Sequence, residues 1–396
     1  MNPIVIEKTN QIAGILSEKD LDLWLIFVRE TSAAGDPVLP LVYGETGLTW
    51  QSTLLFTPDH QKTAILGRFE IDTAEKIGAF DQVIPYDEDI KPILLKELER
   101  INPKKIAINY SEDDVLADGL AHGLFLTLLN MLEGTPFADR LVSAEDVISA
   151  LRGRKTKTEV DRIRQAVKTT LEIFKLSFND LKPSLSEIEV AERMQALVEE
   201  RGLDYAWPKS NNPAVNTGPD SPVGHNAPTE LVIEPGHLVH FDFGVKQEDY
   251  CADIQRMVYF LKPGETEPPE AVKKGFDTIV KAIQAAFEMI KPGIRGIDVD
   301  AAARSVVTEA GFPEYKYATG HQLGRLAHDG GALLGPAWAR YGKTPFMPVE
   351  AGQVYTLEPG LMVPGYGYVG LEEDVLVTEN GAEFLGPPQT KLVILR

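Results

Sequence analysis

A single cysteine, Cys251, stands in a chain of 396 residues. One thiol closes no intrachain disulfide and builds no zinc–thiolate cluster, so a disulfide-stapled or zinc-ribbon fold is excluded. Positive charge is also scarce. Lys and Arg number 39 against 59 Asp and Glu, a formal charge of −20. That sign repels phosphate backbones and anionic lipid, which argues against nucleic acid and membrane surfaces as partners. No stretch approaches the ~18 uncharged apolar residues of a membrane span, and residues 1–15 lack the apolar run and cleavage site of a signal peptide. A cytoplasmic location is the expectation. What remains is ordinary globular material, 43% hydrophobic and 25% charged. At roughly 150 residues per domain, the length suggests two domains.

Residues 21–125 alternate short apolar runs with helical spacing. Segments 23–28, 52–56, 63–66 and 106–109 read as strands, while 90–101 and about 116–132 read as helices. An α/β domain follows, with no motif in it that carries chemistry. The basic, polar stretch 151–158 reads as a linker, which divides the chain into domains 1–152 and 153–396. Beyond it, Val160, Ile163, Val167, Leu171 and Phe174 repeat at three and four, the spacing of a helix. Ser184 and Glu187 form a capping-box pattern that opens a second helix, ended before Gly202. Two more helices, built around Val272–Ile283 spacing and about 299–310, follow a β-rich centre, so the second domain is expected to be α+β.

Chemistry concentrates in two hairpin-like segments. Residues 238–245 and 250–260 flank a polar break, and a turn centred between Gln247 and Glu248 sets Asp242 opposite Asp253. Residues 354–360 and 368–377 flank Pro364-Gly365-Tyr366, and centring on Gly365 sets Glu358 opposite Glu372, with Glu373 exposed to the site by a one-residue slip. Like charges directly opposed are destabilising, so each acid pair needs a proton or a cation between its members. Four carboxylates balance two divalent ions. His321, His328 and His225 supply nitrogen donors of the kind such a site uses.

The order Asp242, Asp253, His321, Glu358, Glu372 resembles the pita-bread metallopeptidases: prolidase, aminopeptidase P and methionine aminopeptidase, with metal-free creatinase as a relative. The motifs Asp-Phe-Gly (242–244), Ala-Asp-Ile-Gln-Arg (252–256), Gly-His-Gln-Leu-Gly (320–324), Leu-Glu-Pro-Gly-Leu (357–361) and Leu-Glu-Glu-Asp (371–374) carry the resemblance in family order. Residues 1–152 resemble the N-terminal domain of the creatinase, prolidase and aminopeptidase P branch. The resemblance implies a creatinase-like α/β domain ahead of an α+β pita-bread catalytic domain, and a homodimer. It also implies a hydrolase acting on Xaa-Pro dipeptides or N-terminal Xaa-Pro peptides.

By the same resemblance Asp242, Asp253, His321, Glu358 and Glu372 are the metal ligands, with Asp253 bridging. Two divalent ions about 3.5–4 Å apart would hold the attacking hydroxide between them. Mn²⁺ suits so hard a donor set first, with Co²⁺, Zn²⁺ or Fe²⁺ as alternatives. Glu358 would take the water's proton, and His225 and His328 would steady the carbonyl oxygen. Gly370 departs from the pattern, since many family members carry Arg there. Asp329 follows His328 in place of Glu, and residues 329–349 are unlike the usual run. Arg325 and Arg340 are therefore the candidates for binding a substrate carboxylate. The departures keep two other readings open: C–N or C–S cleavage of a small non-peptide substrate, and a non-catalytic binding protein. Gly365–Gly370 fits G-x-G-x-x-G, but no helix follows it, so a dinucleotide site is not expected.

Overall fold

The computed structural model describes residues 3–224 and 226–396, so His225 lies outside the described residues. The chain divides into two compact units, Met1–Thr158 and Glu159–Arg396. The division falls within the first turn of a helix, not at the expected 152/153.

The first unit begins with α1 (Pro3–Glu18), β1 (Leu23–Val28), α2 (Leu39–Val42), β2 (Ser52–Phe56) and β3 (Lys62–Gly67). It continues with α3 (Ile71–Ile77), β4 (Gln82–Tyr86), α4 (Lys91–Ile101) and β5 (Ile106–Ile108). It closes with α5 (His122–Leu132), β6 (Leu141–Ser143) and α6 (Glu145–Gly153). The strands form one mixed sheet in the order β4-β3-β2-β1-β5-β6. All six residues of β1 are buried, as a central strand covered on both faces requires. The expected α/β class is observed.

Two expectations in this unit need correction. Val115–Leu132 has the length and composition of a membrane span after all. Asp118 and Gly119 interrupt it, however, leaving a 3₁₀ turn and the 11-residue α5. Such a helix is about 16 Å long, far short of a ~30 Å hydrocarbon core. The basic stretch 151–158 is likewise no solvated linker. Arg152 and Lys155 are 4% and 7% exposed, and Lys155 Nζ donates to Arg152 O at 2.6 Å.

The second unit opens with α7 (Lys157–Asn179) and α8 (Glu187–Glu199), then β7 (Asp204–Tyr205), β8 (Ala214–Thr217), β9 (Leu238–Phe243) and β10 (Val245–Gln247). Next come β11 (Tyr250–Cys251), β12 (Ile254–Phe260), α9 (Glu270–Met289) and α10 (Gly296–Glu309). The remaining strands are β13 (Val354–Leu357), β14 (Gly360–Val363), β15 (Gly367–Gly370), β16 (Glu373–Thr378), β17 (Gly381–Phe384) and β18 (Val393–Leu395). Val272, Phe276 and Ile279 of α9 and Val299 and Ala303 of α10 share a core with Tyr355, Leu357, Val369 and Val375. Each such side chain contributes about 1.5–3 kcal/mol by leaving water. This is the expected α+β unit.

The capping box sits two residues later than expected. Ser186 Oγ accepts from Glu189 N at 3.1 Å, and Glu189 accepts from Ser186 N at 2.8 Å. Glu187 is fully buried and accepts from the backbone N–H groups of Thr217 and Thr229. It pins the ends of the 217–229 loop.

Candidate metal centre

The first hairpin turns at Glu248-Asp249, both at positive φ (48° and 69°). That two-residue turn pairs Gln247 with Tyr250 and carries the register on to Ile254↔Phe243 and Gln255↔Asp242. Asp242 therefore opposes Gln255, and Asp253 sits in the break between β11 and β12, diagonal to Asp242. The expected direct opposition of the two aspartates is wrong by two residues. A two-residue error preserves side-chain parity, so both still point to one face. In the second hairpin Leu357 pairs with Glu373 and Gly360 with Gly370, which leaves Glu358 and Glu372 at matching positions, as expected.

The two hairpins meet where Gln255 bridges Glu372. One row across neighbouring strands thus reads Asp242, Gln255, Glu372, Glu358. The segment carrying His321 joins the far edge: Thr356 N donates to His321 O at 2.9 Å, and Glu358 N to Thr319 O at 2.7 Å. Gly320 permits that approach, because a Cβ there would collide with the Thr356 carbonyl. Asp300 of α10 anchors the segment by accepting from both the N–H and the hydroxyl of Thr319.

His321 Nε2 lies 3.4 Å from Glu358 Oε1, 3.8 Å from Asp253 Oδ2 and 3.9 Å from Glu372 Oε1. One donor atom from each of Asp253, His321 and Glu372 falls within 4.8 Å of the others. Asp242 Oδ1 and Glu372 Oε1 are buried without a hydrogen-bond partner. Burial raises the Asp242 carboxyl from 3.8 to about 7. Burial also raises Asp253, Glu358 and Glu372, and repulsion from neighbouring carboxylates adds to each. Unpartnered buried oxygens among crowded acids and one imidazole are the donor set a divalent ion fits.

These groups open onto a cavity of about 450 Å³, also walled by Trp207, Pro208, Leu326 and His328. His328 is exposed, its ring edge-to-face on His321 with centroids 4.2 Å apart. A cavity of about 510 Å³ in the first unit, at Trp50 and Asp87, brings no histidine to its wall among the described residues. Neither candidate arginine lines the 450 Å³ cavity. Arg325 is buried, 3.7 Å from Asp249, with its guanidinium over the Tyr250 ring. Arg340 is exposed, lies over Trp338 and Tyr341, and donates to Lys316 O at 2.6 Å. Cys251 is buried and its thiol is pushed up to about 12 by that burial, which makes it inert at neutral pH.

Glu373 faces away from the cluster. Arg256 binds it through its two terminal guanidinium nitrogens, Nη1 and Nη2, at 2.9 and 3.0 Å and also donates to the carbonyls of Gln255 and Glu372. Sequence reasoning did not single out Asp374, whose carboxylate accepts from Asp253 N at 3.2 Å, nor the polar set Asn216, His240 and Gln255. The available signal was polar residues inside strands that are otherwise apolar.

The profile of metallopeptidase family M24 matches residues 161–379. An uncharacterized peptidase of Staphylococcus saprophyticus is 31% identical over 242 residues, 61% of this chain and 65% of that one. The uncharacterized peptidase YqhT of Bacillus subtilis is 30% identical over 256 residues, 64% of this chain and 68% of that one. The chain thus matches about two thirds of the length of these curated relatives. A Xaa-Pro dipeptidase from Bacillus anthracis shares the fold with a TM-score of 0.73 and 23% identity, over 99% of this chain and 100% of that one. An X-Pro aminopeptidase from Thermotoga maritima gives 0.70 and 23%, over 98% and 99%. With the profile spanning the whole acid-and-histidine constellation, the chain belongs to metallopeptidase family M24.

Proposed function

We propose that the protein is a divalent-metal-dependent hydrolase of the amide bond in Xaa-Pro dipeptides or N-terminal Xaa-Pro peptides. Membership of the family implies metal use, and the observation that carries the reading is the convergence of His321 with four carboxylates, two of whose buried oxygens lack a partner. Asp242, Asp253, His321, Glu358 and Glu372 would hold two ions, Mn²⁺ first for a set of one nitrogen and otherwise oxygen. When bound, the ions supply Lewis acidity toward the scissile carbonyl and the attacking water.

The chain's own groups do the rest. Glu358, beside His321 at the cavity wall, accepts the water's proton. His328, exposed on the same wall, donates to the carbonyl oxygen as charge builds on it, with His225 in a matching role. Trp207, Pro208 and Leu326 offer an apolar wall on which a pyrrolidine ring packs. Arg340 lies outside this cavity and is assigned to the free carboxylate of a substrate that reaches beyond the cavity wall. Its guanidinium is exposed on a ring pair, and its donation to Lys316 O ties it to the segment leading to His321. A homodimer is part of the same reading.

A second reading, C–N or C–S cleavage of a small non-peptide substrate, draws support from Gly370, which offers no side chain for peptide recognition. One screen separates the two. Metal-reconstituted protein is assayed on Xaa-Pro dipeptides, longer Xaa-Pro peptides and small amidines. Turnover of Xaa-Pro substrates supports the first reading, and turnover of amidines alone supports the second.

A further inference from the structure

The row of acids has one uncharged member. Gln255 stands between Asp242 and Glu372, opposite the first and bridged to the second. Its Nε2 donates to Glu372 Oε2 at 3.0 Å, and its Oε1 lies 2.8 Å from His240 Nε2. His240 places Nδ1 3.0 Å from Asn216 Oδ1, its cross-strand partner. The Asn216 amide nitrogen donates to Pro222 O at 2.9 Å and to Ser221 Oγ at 3.2 Å. That turns the Asn216 oxygen toward His240 Nδ1, so the two ring nitrogens face two acceptor oxygens and the neutral imidazole donates to one of them. Asn216, His240, Gln255 and Glu372 are 6%, 4%, 5% and 1% exposed. Asn216, His240 and Gln255 thus form a buried polar row behind Glu372, and the Gln255 Nε2 donation to Glu372 Oε2 is its link to the acids. The other oxygen, Oε1, is left without a hydrogen bond and lies 3.9 Å from His321 Nε2.

Position 370 belongs to the same arrangement. A Cβ on Gly370 would lie 2.5 Å from Gln255 Oε1, 2.6 Å from the Tyr368 ring and 3.0 Å from His240 Nε2. The space that a side chain at 370 would take is already filled. Glycine there lets Gln255 and His240 lie against the last acid of the row.

We propose that Gln255, packed against His240 and Gly370, is a positioning residue of the metal centre, which fixes Glu372 Oε2 so that Oε1 faces the ion. The proposal rests on reading the cluster as a divalent-metal centre. A carboxylate free to turn loses part of its affinity for an ion, and partners that orient a ligand are worth about 10- to 100-fold in metal affinity.

The test strips full-length wild-type and Gln255→Met proteins with chelator, titrates each with Mn²⁺ by calorimetry, and records the melting of each metal-free protein. Gln255→Met keeps length and removes both polar atoms. It should bind Mn²⁺ about 10- to 100-fold more weakly with metal-free melting retained. Excess Mn²⁺ should restore kcat and leave the dipeptide KM unchanged. Unchanged Mn²⁺ affinity overturns the proposal, as does lowered metal-free melting with affinity intact, the signature of a merely structural role. Gly370→Ala, which pushes on Gln255 from the other side, is the second variant should Gln255→Met fail to fold, and the same weakening is expected. A wild-type protein that binds no Mn²⁺ overturns the metal-centre reading itself, a result distinguishable from a failure of Gln255 alone.

Discussion

Glu372 and Glu373 are consecutive in the chain and serve different systems. Glu372 turns into the acid cluster with one oxygen unpartnered, while Glu373 turns away into a two-nitrogen ion pair with Arg256. Strand alternation sends the two carboxylates to opposite faces, so substitution should separate their roles. Glu373→Gln breaks a pair whose side chains are 6% and 4% exposed. It should cost about 3–5 kcal/mol of stability by leaving Arg256 buried and unbalanced, with metal binding retained in the folded fraction. Glu372→Gln should leave the metal-free fold intact and lose metal. Denaturant unfolding and elemental analysis on both variants check the split, and the reverse pattern contradicts it.

The acid cluster also sets a pH dependence for the metal-free chain. Burial raises Asp242 to about 7, and its three acidic neighbours are raised with it. A group with a higher pKa folded than unfolded stabilises the fold while protonated. That contribution is full below about pH 4 and is lost as pH rises through about 7. In chelator, melting temperature should fall between about pH 5 and about pH 8 more steeply for wild type than for Asp242→Asn. Equal slopes contradict the shift. Added divalent ion should remove most of the difference.

His328 differs from the ligands in exposure and in its place on the cavity wall. His328→Ala should retain bound metal and lose kcat by about 10²–10³, the range for removal of a donor to a developing oxyanion. Metal loss in this variant comparable to that in Asp253→Asn would make it a ligand instead.

Much of this site was readable because strand parity and turn residues are local. Gly365, at φ 80°, marks its own turn, so the register that sets Glu358 against Glu372 follows from counting. The first hairpin hides its turn, because Glu248 and Asp249 adopt positive φ without a glycine to announce it. The register slipped by two, yet the face survived. The capping box was displaced because Ser184/Glu187 and Ser186/Glu189 satisfy one pattern, and only the folded loop shows that Glu187 is taken by Thr217 and Thr229. The polar row behind Glu372 was not legible. Asn216, His240 and Gln255 meet only through the β8–β9–β12 ladder, and no spacing rule joins them.

Arg340 carries the proposal for the substrate's charged end. Removing a charge-assisted two-point contact costs roughly 1.5–3 kcal/mol, or about 10- to 150-fold in kcat/KM. Arg340→Ala should show that loss with free-carboxylate dipeptides and almost none with their C-terminal amides. Arg325→Ala, whose charge lies against Asp249 and Tyr250, should show no such selectivity. Equal losses on acids and amides for Arg340→Ala contradict the assignment.

The most direct test of the central claim is a stoichiometric reconstitution. Chelator-stripped protein is titrated with Mn²⁺ while bound metal and hydrolysis of an Xaa-Pro dipeptide are followed in the same samples. Two acid pairs and one histidine predict about two ions per chain, no turnover without metal, and turnover that rises as the ions are bound. Full activity in the stripped protein, or saturation with metal that yields no cleavage of any Xaa-Pro substrate, would contradict it.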